Sequence, residues 1–126
     1  MDRVSFERWL REYVRRQEQG DATVVRELWA EDGVYWWGPF NEPRRGVQAI
    51  YEHHRNALSH QSRWTCAVKT LAVTAEHGIA HFRLTLDDHV PGEPNTYDGI
   101  FLVCLNDEGK CTRFEEWYHG VTTDRN

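Results

Sequence analysis

The second half of this chain excludes most folds. From residue 62 onward it runs as four long segments, 62–73, 78–88, 96–105 and 111–119, rich in β-branched, aromatic and aliphatic residues. Turn chemistry separates them: EHG at 76–78, HVPGEPN at 89–95 and NDEGK at 106–110. Connections that short join antiparallel neighbours, because parallel ones need a crossover of about a dozen residues or more. The first half has another period. Residues 3–18 carry Val4, Phe6, Trp9, Leu10, Tyr13 and Val14 mostly at spacings of three and four, which predicts an amphipathic helix ended near Gly20. Asp21 is placed to cap a second helix through about Ala30, buried along Val24, Val25, Leu28 and Trp29. Gly33 then releases a strand, 34–37, closed by Gly38-Pro39, and a third helix fits 46–58 with Val47, Ile50, Tyr51, His54 and Leu58 on its inner stripe. Three helices and an antiparallel sheet make an α+β plan in which the helices cover one sheet face.

Composition narrows the partners. The 126 residues fit a single domain spanning 1–126 and suffice for a packed core, with 40% hydrophobic residues and six Trp. Net charge is −5 and Lys and Arg never cluster in a long run, so nucleic acid and anionic membrane surfaces are not expected partners. The charged opening MDRVSFERWLREYVRR does not read as a signal peptide, and no segment approaches the roughly 20 apolar residues of a membrane span. Cys66, Cys104 and Cys111 lack metal-site spacing and read as reduced thiols, which points to the cytoplasm. No metal or other cofactor is expected.

The order of elements and four words, REYVRRQEQGD (11–21), LWAEDGVYWWGPFNEPRRG (28–46), AIYEHHRNAL (49–58) and NDEGKCTRFEEWYH (106–119), resemble the nuclear-transport-factor-2-like superfamily in its SnoaL-like and ketosteroid-isomerase-like branch. The resemblance implies a cone: a highly curved antiparallel sheet wrapped around three N-terminal helices, with a central pocket. It does not imply one chemistry, since the fold hosts isomerases, dehydratases, epoxide hydrolases, cyclases and binding proteins. Tyr13 falls where the ketosteroid isomerases carry an oxyanion-donating tyrosine, but their catalytic base falls on Trp37 and their second donor on Phe101. The limonene-epoxide-hydrolase pattern finds Leu84 and Leu86 in place of its Arg-Asp couple, and Glu116 in place of its last aspartate. Neither standard mechanism is therefore expected.

The same alignment sets which side chains face the cone, and alternation along the strands agrees with it. Phe82, Leu84 and Leu86 face inward on one strand, Tyr97 and Phe101 on the next, and Phe114, Glu116 and Tyr118 on the last. Tyr35 and Trp37 share the inner face, and Trp64 joins them. These residues are the expected binding surface for a small hydrophobic or aromatic molecule. Glu116 is the one acid among them, and loss of hydration there predicts a raised pKa. His54 on helix three and Tyr13 on helix one are expected within hydrogen-bond reach of each other. Glu116, His54 and Tyr13 form the candidate catalytic set for cofactor-independent isomerisation, dehydration or cyclisation, with Glu116 or His54 as base and Tyr13, with Tyr35 or Tyr97, polarising an oxygen. Two other readings stand beside this one: a non-catalytic binder of hydrophobic ligands, and a structural protein whose cone is filled by its own side chains. His53, His60, His77, His81 and His89 read as surface, turn or outer-face residues. The opposite parity sends Trp36, Ile100, Leu102 and Trp117 to the convex face, where a homodimer interface is expected.

Overall fold

In a computed structural model that describes residues 1–60, 63–88 and 90–123, the helical period of the first segment becomes α1, Arg3–Glu18. Asp2 caps it by accepting a hydrogen bond from the Ser5 N–H at 2.8 Å. Its stripe, Phe6, Trp9, Leu10, Tyr13 and Val14, is buried, while Val4 stands in solvent. A short α2, Val24–Leu28, leads directly into β1, Trp29–Trp36. A two-residue β2, Arg44–Arg45, precedes α3, Val47–His60. Four long strands complete the chain: β3 Trp64–Val73, β4 Gly78–Leu86, β5 Thr96–Leu105 and β6 Cys111–Val121. Ser62 and His89, expected in a strand and a turn, lie outside the described residues.

The strands form one open sheet of order β2-β1-β6-β5-β4-β3. Here the sequence-based expectation needs correcting. The hairpin-linked strands β3 to β6 are antiparallel, but β1 runs parallel to β6, so the sheet is mixed. Short turns dictate direction only between consecutive strands, and no turn joins β1 to β6. The second helix also stops earlier than its apolar pattern suggests. Trp29 is already extended, at φ −99° and ψ 146°, and it opens β1 rather than closing α2. The third helix follows the first strand as expected, with the two-residue β2 added between them.

Two glycines make the sheet possible. Between Trp29 and Val34 the β1–β6 register shifts, and a Cβ on Gly33 would meet Trp29 Cδ1 at 2.7 Å and the Cys111 carbonyl at 2.9 Å. A Cβ on Gly99 would lie 1.9 Å from the Trp117 carbonyl oxygen, so only a glycine lets β6 approach β5 so closely at that point.

The helices seal the inner sheet face. The Trp9 indole N–H donates to the Leu28 carbonyl at 3.0 Å, tying α1 to α2. Glu18 accepts from the Cys66 backbone N–H at 3.0 Å, and Glu7 accepts from the Thr70 hydroxyl at 2.9 Å, which fastens α1 to edge strand β3. Between the layers Phe82 and Phe101 stack at 4.1 Å, and Phe114 sits within 6 Å of the rings of Trp9, Tyr13, Trp29, Tyr35 and Phe101. That aromatic floor supports the site above it.

Candidate functional site

Parity and register bring the inward residues of all six strands, together with α1 and α3, onto one cavity of about 410 Å³. Alternation along β6 sends Phe114, Glu116 and Tyr118 inward and leaves Trp117 about half exposed on the other side. Tyr35 and Trp37, two residues apart, share the inner face, whereas Trp36 faces out and carries the Arg113 guanidinium 3.9 Å from its ring centre. Trp64, Phe82, Leu84, Tyr97 and Phe101 complete the expected wall. Two expected members do not reach it. Leu86 lies at the far end of β4, where its backbone N–H donates to the Asn95 carbonyl. Phe114 is fully buried one layer below, spent on the aromatic floor.

Of the residues that enter the site unannounced, His53 and Arg44 bear most on its chemistry. His53 was expected at the surface, but it packs against Trp37 and Tyr35 at 4.8 and 5.3 Å between ring centres and lines the cavity. Helical spacing gave it no claim on the inner stripe; the rings of Tyr35 and Trp37 are what pack over it. Arg44 lines the cavity because β2 pairs antiparallel with β1 and sets Arg44 opposite the inward Tyr35. A strand of two residues leaves no periodic trace.

The helical pair does meet. The Tyr13 hydroxyl and His54 Nε2 are 2.8 Å apart, and His54 Nδ1 is 2.9 Å from the Ile50 carbonyl. A carbonyl oxygen only accepts, so Nδ1 carries the proton, Nε2 is the acceptor and Tyr13 donates to it. Burial pushes the His54 pKa down to about 4, so the ring is neutral at neutral pH. Burial raises both Tyr13 and Tyr35 well above the ordinary phenol range, and the nearby Glu116 charge raises them further. Glu116 itself keeps part of its surface open to the cavity. Desolvation pushes its pKa up to about 7, and a hydrogen bond from Tyr35 restrains the rise. Cys66, also in the wall, is pushed up to about 12 by burial and by Glu18, which keeps it a thiol rather than a nucleophile.

Among the described residues no group of three His, Cys, Asp or Glu could hold a metal ion, and no helix is long and apolar enough to cross a membrane.

A cavity bounded by helices on one side and a bent sheet on the other, with its polar groups on α1, α3, β1 and β6, defines a class: the nuclear-transport-factor-2-like fold. Within it, residues 10–114 match the SnoaL-like domain, and the chain belongs to that family. Solved structures agree on the fold. The epoxide hydrolase/cyclase-like enzyme SalBIII, which has a role in pyran ring formation in the polyether salinomycin, superposes with a TM-score of 0.78 at 16% identity, covering 95% of this chain and 98% of that one. An NTF2-like protein of unknown function from Mesorhizobium loti gives 0.73 at 19% identity, covering 95% and 96%. A steroid delta-isomerase from Pseudomonas aeruginosa gives 0.69 at 15% identity, covering 94% and 82%. No curated protein sequence matches the chain.

Proposed function

We propose that this SnoaL-like protein is a cofactor-independent acid/base catalyst, an isomerase, dehydratase or cyclase, acting on a small apolar or aromatic carbonyl compound. One observation carries the reading: on the wall of a 410 Å³ aromatic cavity stands a carboxyl group, single among the described residues, with a pKa near 7. Such a group exists in both protonation states at neutral pH and can take a proton and return it. Glu116 removes a proton from the carbon beside the carbonyl. The C–H electron pair becomes the new C=C bond and the carbonyl oxygen takes the charge. The Glu116 carboxyl then delivers the proton elsewhere on the molecule, which completes an isomerisation, or assists departure of a hydroxyl or closure of a ring. Tyr97, on the wall with a hydroxyl that makes no protein hydrogen bond among the described residues, is a phenol available to the oxygen, and Tyr35 can turn to it when Glu116 gives up the hydrogen bond between them. Tyr13 has its proton committed to His54, and the neutral His54 has its lone pair committed to Tyr13. In this reading the pair positions the helical wall, and Glu116 is the base.

The test needs no knowledge of the natural substrate. Protein in D₂O is incubated with a panel of cyclic ketones and lactones, 2-tetralone first, and exchange at the acidic carbon is followed by NMR. Wild-type protein is expected to accelerate exchange with a rate that climbs through pH 7, and Glu116→Gln to lose about 100-fold or more of that acceleration. Exchange at the wild-type rate in Glu116→Gln would refute the assignment of the base. The mutual satisfaction of Tyr13 and His54 also suits a protein that binds its guest without converting it; saturable binding without accelerated exchange is the outcome that would favour that reading.

The convex face is proposed to pair two copies. Trp117 stands 49% exposed beside Trp36, and charges of both signs, Arg83, Asp98, Arg113 and Glu115, are interleaved around them, as a two-fold contact requires. Sedimentation of wild type as a dimer and of Trp117→Glu as a monomer is the expected result.

A further inference from the structure

Arg44 differs from the other positions in the cavity wall. Among the described residues it is the one arginine lining that space, half-buried, held there by its pairing with Tyr35. No carboxylate among the described residues pairs with it, and its guanidinium carbon lies 5.8 Å from the centre of the Trp37 ring. Several arginines outside the cavity do pair with carboxylates, among them Arg16 with Asp21, Arg83 with Asp98 and Arg113 with Glu115. A guanidinium set in an aromatic wall, with its fork of donors unspent, is a site for an anionic oxygen group. His53 stands beside it, its pKa lowered by burial and then by the Arg44 charge, so it adds a neutral imidazole to the same end of the cavity.

Position matters as much as charge. Arg44, Tyr35 and Phe114 lie in one row across β2, β1 and β6, and Glu116 is the next inward residue along β6. Two strand spacings place the Arg44 and Phe114 backbones roughly 10 Å apart. An anion bound at Arg44 is therefore kept away from Glu116, while an aromatic body lying between them meets Trp37 and Tyr35.

We propose that Arg44, assisted by His53, is the anion-recognition end of this cavity, and that the natural ligand is an acidic amphiphile: an apolar or aromatic skeleton with a carboxylate at one end and its reacting carbonyl at the other. The inference rests on the reading of the cavity as a small-molecule site, and it names the substrate class for that site.

The experiment compares two probes of one shape, 2-naphthoate and 2-naphthamide, by isothermal titration calorimetry on the whole chain. Wild-type protein is expected to bind the carboxylate about 10-fold or more tightly than the amide. Arg44→Gln is expected to remove that preference while leaving the amide affinity within about 2-fold, and Arg44→Lys to restore part of it. Arg45→Gln, one residue along and paired with Val34 rather than Tyr35, is the control and keeps the wild-type preference. Equal binding of both probes by wild type, or an Arg44→Gln variant that weakens both alike, overturns the anion site and leaves the cavity reading standing. No binding of either probe overturns both.

Discussion

Two carboxylates on adjoining strands meet opposite treatment. Asp98 of β5 faces out, where it accepts from His81 Nε2 at 2.9 Å and Arg83 Nε at 2.8 Å, and these donors hold its pKa below the usual carboxylate range. Glu116 of β6 faces in, with no cation among the described residues bonded to it, and burial drives it up to about 7. The groups are chemically almost identical and belong to the same hairpin. Strand parity alone decides which one meets water and cations and which one meets aromatic rings. A protein can therefore make a neutral-pH acid from an ordinary glutamate without any special residue, by choosing its face and paving the surroundings.

That comparison can be broken at its strongest point first. Phe101→Ala removes the ring directly paired across from Glu116 and stacked on Phe82. It is expected to cost about 3–5 kcal/mol in chemical denaturation, and to bring the Glu116 titration down from about 7 as water enters. A Glu116 titration unmoved in that variant would show that the aromatic wall is not what raises it. Next is the pH dependence of stability itself. A carboxyl that titrates near 4.5 when unfolded and near 7 when folded stabilises the native state fully below the lower value, and the contribution is lost as pH rises through 7. The difference between wild type and Glu116→Gln over that window is expected to reach at most about 3 kcal/mol, less whatever screening the open cavity allows. Tyr13→Phe strips the donor from the buried His54 Nε2 and is expected to cost about 1–3 kcal/mol, with His54 still neutral at pH 6 by NMR. Asp98→Asn closes the series with the smallest effect. Its depressed pKa means stability present at neutral pH and lost in acid, and the loss on substitution should lie near the error of a denaturant titration and fade in high salt.

Much of this was legible in the residues. Period 3.6 placed α1 at 3–18, and alternation with turn chemistry placed the four long strands and the inward set to which Glu116 belongs. Helix-stripe spacing and the family resemblance together put His54 beside Tyr13. What failed was written in no local pattern. Leu28 and Trp29 continue a helical stripe, yet Trp29 is pulled into β1, where its ring packs among Trp9, Tyr13 and Phe114. The parallel sense of β1 against β6 follows from packing between segments far apart in the chain. Arg44 reaches the cavity through a pairing register, and His53 through ring packing with Tyr35 and Trp37 across elements, which period arithmetic does not address. Phe114 has the right parity but the wrong depth, because alternation gives a direction and says nothing about which layer a side chain fills.

The His54 ring is moored to the Ile50 carbonyl of its own helix by one nitrogen, while the other grips a phenol carried by α1. It works as a rivet through two plates. If α3 slides along α1 by even a fraction of a turn, the rivet must shear and expose an unpaired nitrogen to hydrocarbon, so the lid of the cone has one preferred seat.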